Sequence, residues 1–330
     1  MRAPPHPIRA LSLFSGGLDS QLAVRILQRQ GIAVKALIFN SIFFPATPVE
    51  SLARGLVETL WVEDFTPRLV SLIERPRHGR GAGLNPCVDC HLAMLQRAGQ
   101  IMEEQGLHFI CTGEVLNQRP LSQNRAALEL VARKSGYGDY ILRPLSAQLL
   151  PITAPERLGW VDRQALYAFS GRSRKAQTAL AQQLGLQDYP QPAGGCLLTE
   201  PGYAKRLREL MAHEGLACRD DIIRLRSGRH FRLGQARLIV GRDQAENAHL
   251  AELLRPGEIA LQPLNCLGPS GLLTGTATES EQQLAAGILA RYCDAPPSGE
   301  LIRIEARLDQ TTLVLSAQPL PAGQVEAWRI

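Results

Sequence analysis

The stretch Arg9-Ala-Leu-Ser-Leu-Phe-Ser15-Gly16-Gly17-Leu18-Asp19-Ser20 constrains this chain more than any other. An apolar run from Ala10 to Phe14 reads as a buried strand. It breaks at Ser15-Gly16-Gly17 and resumes with Leu22, Ala23, Ile26 and Leu27 on one helical face. Strand, glycine turn and helix together present backbone N–H groups to an anion at the helix N-terminus. Gly16 and Gly17 lack a Cβ, so the main chain can approach a phosphate closely and take positive φ. Ser15 and Ser20 add hydroxyl donors. No Gly-Lys-Ser/Thr follows, which excludes a Walker A loop, and the turn is not Gly-x-Gly-x-x-Gly.

Ser-Gly-Gly-Leu-Asp-Ser resembles the pyrophosphate loop of the PP-loop ATP pyrophosphatase superfamily, whose fold is called adenine nucleotide α-hydrolase-like. The resemblance implies ATP as cofactor, with Mg²⁺, cut between its α and β phosphates. It implies that Ser15, Gly16, Gly17, Leu18, Asp19 and Ser20 bind the nucleotide and that Asp19 is catalytic. Ala33–Asn40 reads as a second strand, and strand, helix, strand at this spacing is a parallel βαβ unit. Ligands of such sheets lie beyond the C-terminal strand ends. In the superfamily the end of the second strand holds adenine, which puts Phe39 there. Further strands are read at Leu60–Phe65, His108–Thr112 and Tyr140–Leu145. The expected fold class is α/β, a parallel sheet with helices on both faces, followed by a smaller α+β C-terminal domain.

At 330 residues and 45% hydrophobic content, two domains with proper cores are expected. No run reaches the length of a membrane span, and the N-terminus has no signal-peptide h-region, so a cytoplasmic protein without a membrane partner is expected. Seven cysteines, an odd number, read as free thiols rather than a disulfide framework. A net charge of +5 is compatible with a nucleic-acid partner.

Residues 75–86 are a loop rich in arginine, glycine and proline, read either as a solvated linker or as a cover that meets phosphate. Asn85-Pro86-Cys87-Val88-Asp89-Cys90-His91 then opens a helix running to about Glu104. Cys-x-x-Cys spacing suits a shared metal centre or a redox pair. Asn-Pro-Cys-x-x-Cys resembles the entry to the catalytic helix of MnmA/TrmU-type tRNA 2-thiouridylases. Thr112-Gly113-Glu114-Val-Leu-Asn117-Gln118-Arg119-Pro-Leu-Ser-Gln123 resembles a segment of ThiI-type tRNA 4-thiouridine synthetases, with Asn117 where those carry glycine. Thr112, Gly113 and Arg119 are therefore expected at ATP. Arg172, Arg174 and Lys175 cluster at a helix start, the unfavourable end for cations, which a bound anion or solvation must offset. Cys196 follows Gly194-Gly195 on a proline-bounded turn. It resembles the second active-site cysteine of the tRNA thiouridylases.

Cys87, Cys90 and Cys196 form the sharpest constellation. Three thiolates with an open fourth position suit a [4Fe–4S] cluster able to hold an extra sulfide. The competing scheme is a persulfide on Cys196 resolved by Cys90. In both, Cys90 and Cys196 are catalytic and a sulfide or persulfide carrier, such as a cysteine desulfurase, supplies sulfur.

The domain boundary is placed at 214/215, after a basic helix over 201–214. From Cys218 short strands are read. In Ile222–Arg242 arginines alternate with apolar residues, so Arg224, Arg226, Arg229 and Arg232 are expected on one strand face as an RNA-phosphate reader. Gly-Arg-Asp-Gln-Ala-Glu-Asn247, Gly268-Pro-Ser-Gly271 and a helix over 278–293 resemble the RNA-binding domain of NFACT proteins. Cys218, Cys266 and Cys293 are read as structural.

Residues 1–214 are thus expected to be an ATP-dependent catalytic domain and 215–330 an RNA-binding domain. The implied activity is tRNA thiolation: a uridine carbonyl oxygen is adenylated, pyrophosphate leaves, and sulfur displaces AMP to give 4-thiouridine or 2-thiouridine. The alternatives are a PP-loop ligase or sulfurtransferase acting on a small molecule, and an RNA-binding adaptor with a vestigial nucleotide site.

Overall fold

The computed structural model describes residues 7–44, 47–190, 196–296 and 300–330. The chain forms two compact units, Met1–Glu200 and Pro201–Ile330. Among the described residues no helix is long and apolar enough to cross a membrane.

The first unit runs β1 (Arg9–Leu13), α1 (Leu18–Arg29), β2 (Ala33–Asn40), α2 (Thr47–Arg54), β3 (Leu60–Asp64), α3 (Thr66–Glu74), α4 (Cys87–Glu104), β4 (Phe109–Thr112), α5 (Arg125–Ser135), β5 (Ile141–Leu142), α6 (Ala154–Arg157) and α7 (Lys175–Gln183). The sheet order is β3-β2-β1-β4-β5, with every neighbouring pair parallel. Alternate residues feed two cores. Ala10, Ala36, Ile38, Phe109 and Cys111 pack toward Leu22, Ile26 and Leu180 on one side. Leu11, Leu37 and Ile110 pack toward Leu95, Ile101 and Val131 on the other. Both strand faces are covered, which is why these strands read as continuous apolar runs rather than alternating ones.

Two elements depart from the sequence reading. In the sequence Asp162 reads as the cap of a short helix to about Phe169; the structure has one 3₁₀ turn there, Arg163–Ala165, with Asp162 Oδ1 accepting from Gln164 N at 2.9 Å. Beyond it the N–H groups of Tyr167 and Phe169 donate to Pro144 O (3.0 Å) and Leu145 O (2.7 Å), so the chain extends along the loop after β5 instead. Helix α2 has no counterpart in the reading.

The second unit runs α8 (Pro201–His213), α9 (Arg219–Arg224), β6 (Arg229–Leu233), β7 (Ala236–Val240), α10 (Gln244–Glu252), β8 (Ile259–Pro263), β9 (Gly271–Thr274), α11 (Glu279–Ala290), β10 (Ile302–Leu308), β11 (Thr311–Ala317) and α12 (Ala322–Val325). Its antiparallel sheet has the order β11-β10-β8-β9-β7-β6. Thr278 and Glu281 close a capping box at the start of α11. Ala285–Ala290 of that helix is buried against Leu238, Leu261 and Ile304.

The boundary lies at Glu200/Pro201, not at 214/215. Helix α8 buries Tyr203, Leu207 and Leu210, and Arg206 Nε donates to Leu225 O at 2.8 Å, so it packs with α9. The arginine strand is also corrected. Ile222–Arg224 closes α9, whose first turn holds Asp220 and Asp221, the favourable sign for a helix N-terminus. Arg224 is fully buried between Asp221 (3.0 Å) and Glu258 (2.7 Å). Arg226 sits in the following turn with part of its guanidinium buried. Arg229 lies over the Tyr292 ring, 4.5 Å from its centroid, and Arg232 pairs with Glu209 and Glu214. On β6 these two are three residues apart and point to opposite faces. The four therefore make no common phosphate-reading face. Arg224 and Arg232 are neutralised by carboxylates of the same unit.

Candidate active site

In the first unit the chain moves from β1 outward to β2 and β3, then returns to add β4 and β5 on the opposite side. The order reverses between β1 and β4, and ligands of open parallel sheets bind in the crevice at such a point, beyond the C-terminal strand ends. Two turns meet there, Ser15–Leu18 after β1 and Gly113–Glu114 after β4. A Cβ on Gly113 would lie 2.5 Å from Ser20 N, so glycine lets the β4 turn press on the start of α1. Gly16 has φ +73, and Val49 of α2 covers it at 3.1 Å from where a Cβ would sit. Gly17 caps α1 in extended conformation, and no side chain bonds the first N–H groups of that helix. Ser20 Oγ donates to Gly17 O (2.8 Å), and Ser15 is exposed on the loop. Leu18 buries its side chain in the core and offers only its backbone.

Asp19 is buried and held. Its Oδ2 accepts from Gln118 Nε2 (3.0 Å) and from Arg174 Nη2 (3.2 Å), while Oδ1 is buried with no hydrogen-bond partner among the described residues. The cationic start of α7 thus meets a carboxylate of the loop. Asn117 keeps φ +61, a left-handed conformation that asparagine tolerates better than most residues, so the loop shape open to glycine is retained. Phe39 ends β2 against Phe65, with ring centroids 5.2 Å apart. Arg119 is exposed.

Behind Gly113, Glu114 joins this edge to α4. Its Oε1 lies 2.9 Å from His91 Nδ1, and its Oε2 accepts from Arg143 Nε (2.8 Å) and Thr112 Oγ1 (3.1 Å). Burial raises the Glu114 carboxyl, but Arg143 and His91 outweigh it and hold the group at about 2. His91 is therefore tied to a carboxylate next to Cys90. The loop 75–86 is also anchored: buried Asp89 accepts from Arg77 N (3.0 Å), His78 N (2.9 Å) and the His78 ring (2.6 Å).

The segments that carry the three thiols are tied together. Leu84 N–H donates to Leu198 O (3.0 Å), and Leu197 N–H donates to Phe43 O (3.2 Å), which fastens the turn after Cys196 between the α4 entry and the loop after β2. Gly83 lies so close that a Cβ would sit 2.1 Å from Leu198 O. Asn85 Nδ2 donates to Cys87 Sγ (3.1 Å). Burial, then the neighbouring Cys196, Cys87 and Asp89, push the Cys90 thiol far up. Burial and Cys87 raise Cys196 to about 11, with Arg119 acting against them. Gly194-Gly195 lies outside the described residues. Among the described residues, no three or more His, Cys, Asp or Glu side chains are grouped to hold a metal ion.

Residues 8–148 match the ThiI family model. Its description is thiamine biosynthesis protein (ThiI), and residues 228–329 match the NFACT protein RNA binding domain. A tRNA sulfurtransferase of Desulfurococcus amylolyticus is 31% identical over 172 residues, covering 50% of this chain and 34% of that protein. The tRNA-specific 2-thiouridylase MnmA of Methylorubrum populi is 26% identical over 311 residues, 82% of this chain and 78% of that protein. The chain thus spans about a third of the tRNA sulfurtransferase it matches. Among solved structures, the predicted subunit of tRNA methyltransferase from Methanocaldococcus jannaschii is 16% identical, covering 53% of this chain and 76% of that one at a TM-score of 0.35.

Glu114, Arg143, Gln118 and the Arg174–Asp19 contact are site features that the sequence reading did not assign. Thr-Gly-Glu and the arginines misplaced at a helix start were the available signals.

Proposed function

We propose that this protein thiolates a tRNA uridine at the expense of ATP, in the cytoplasm, where thiols stay reduced. The nucleotide lies on Ser15, Gly16, Gly17, Leu18, Asp19 and Ser20, with Phe39 near adenine and Thr112, Gly113 and Arg119 completing the edge. A uridine carbonyl oxygen attacks the α-phosphate and pyrophosphate leaves. The first-turn N–H groups of α1 and the cationic start of α7 neutralise the departing charge. Asp19, whose buried Oδ1 has no partner, would hold Mg²⁺, which supplies further charge neutralisation there.

Sulfur enters at the thiols. Cys196 carries a persulfide whose outer sulfur is transferred from a persulfide carrier, such as a cysteine desulfurase, which is left as a thiol. Its outer sulfur attacks the adenylated carbon and AMP leaves with the C–O electron pair. Cys90 then attacks Cys196 Sγ, leaving sulfur on the uridine and a Cys90–Cys196 disulfide that a thiol reductant resets. The observation that carries this reading is the pair of backbone hydrogen bonds, Leu84 to Leu198 and Leu197 to Phe43, which supports Cys196 beside the Cys87–Cys90 turn. The ThiI match supports the ATP half, and the NFACT match favours tRNA over a small molecule.

A second reading of the sulfur half rests on Cys87, which the persulfide route leaves unused although it acts on both other thiols. The three thiols would hold a [4Fe–4S] cluster. The described residues are not grouped for that, so no step is derived through it. Iron and sulfide analysis of anaerobically purified protein decides between the two: four irons per chain favour the cluster, none the persulfide. Nucleoside mass spectrometry of tRNA from a deletion strain tests the function itself. Loss of 4-thiouridine or of a 2-thiouridine derivative is expected and identifies the product. An unchanged nucleoside profile overturns the proposal.

A further inference from the structure

Cys266 and Cys293 lie in the second unit, without ligand spacing in the sequence. Cys266 belongs to the loop that follows β8, and Cys293 follows the end of α11. Folding brings the segments that carry them together, and Cys266 acts on the Cys293 thiol. Both are half-buried, so a small reagent can reach them. The surrounding backbone fixes the approach. Asp294 N–H donates to Leu267 O at 2.8 Å, between the same two segments. Gly268 passes so near that a Cβ there would sit 2.4 Å from Cys293 Sγ. The far side of the loop is tied as well: Ser270 N donates to Asn247 Oδ1 (3.1 Å), and Gly241 N donates to Ser270 O (3.0 Å). These contacts hold the two cysteine-bearing segments against each other.

We propose that Cys266 and Cys293 are a redox-modification site, which a low-molecular-weight disulfide oxidises to an internal disulfide stapling the 264–270 loop to the end of α11. The balance is that of thiol–disulfide exchange. The Cys266 thiolate attacks one sulfur of the small disulfide, forming a mixed disulfide and releasing one small thiolate, which takes up the proton Cys266 lost. The Cys293 thiolate then attacks Cys266 Sγ, closing the S–S bond and releasing the second small thiol. Two cysteine thiols are oxidised and one small disulfide is reduced to two thiols. Burial raises the Cys293 thiol, so the exchange accelerates with rising pH.

The test uses the full chain, reduced, desalted and treated with glutathione disulfide, then blocked with N-ethylmaleimide and cut with trypsin. Arg242, Arg291 and Arg303 separate the two cysteines into peptides 243–291 and 292–303, each with one cysteine. The expected product is these two peptides joined, with the mass of two hydrogens missing. The joined species is absent from Cys266→Ser and from Cys293→Ser. Oxidation also raises the melting temperature of the second unit by roughly 5 °C, because the disulfide restricts the unfolded chain. Both peptides recovered singly, as maleimide adducts or as stable glutathione mixed disulfides, overturn the proposal. Wild-type protein alone decides it, so a misfolded variant does not.

Discussion

Asp19 is the residue at which the two turns of the sheet edge meet the cationic start of α7. Its paired Oδ2 and unpaired Oδ1 leave one oxygen for substrate-side charge. Asp19→Asn keeps the shape and removes the charge. ATP–pyrophosphate exchange is expected to fall about 10²-fold or more, the scale of losing one preorganised electrostatic group. An unchanged exchange rate excludes Asp19 from the chemistry. Glu114 gives a pH prediction. Its folded-state value of about 2 lies below the ordinary carboxylate range, so its contribution is complete above that range and is lost as pH falls toward about 2. Glu114→Gln should flatten the decline in melting temperature between about pH 5 and pH 2, because the group that loses stability there is gone. The thiols behave in the opposite sense. With Cys196 at about 11, its thiolate is scarce at neutral pH, and its alkylation rate should climb steadily through pH 8–10. A rate that is flat over that interval contradicts the assigned environment.

Individual elements show where sequence was informative. β2 and α4 match their sequence bounds, because a parallel strand between two covered faces and a long helix with a fixed start leave strong periodic signals. The arginine stretch failed for a physical reason. Alternation of Arg with apolar residues is identical for a solvated face and for a buried ion-pair network. Three of the partners that decide it, Glu258, Glu209 and Glu214, lie distant in the chain from the arginines they hold. Arg224→Ala removes one partner of a buried pair and is expected to destabilise the second unit by about 3–5 kcal/mol. Equilibrium denaturation measures this; a change below about 1 kcal/mol would mean that Arg224 is not clamped. For the site, the Ser15–Ser20 loop and the three cysteines were legible as motifs. Their juncture was not, since it depends on long-range backbone bonds such as Leu84 to Leu198.

Across the molecule, one unit with a ThiI match carries nucleotide-loop and thiol features, and the other carries the NFACT match. The account divides the reaction into activation by the loop and sulfur delivery by the thiols, so the two halves should separate experimentally. The direct measurement is a single turnover of purified protein with ATP, a persulfide donor such as a cysteine desulfurase with cysteine, and unmodified tRNA, following pyrophosphate and AMP by chromatography and thiouridine by mass spectrometry. Wild type is expected to form AMP and thiouridine in step. Cys196→Ser should release pyrophosphate while AMP stays on the tRNA, and Cys90→Ser should release both but leave the uridine joined to Cys196, so neither forms thiouridine. Thiouridine formed at the wild-type rate by both cysteine variants, or no tRNA-dependent AMP from wild type, contradicts the account.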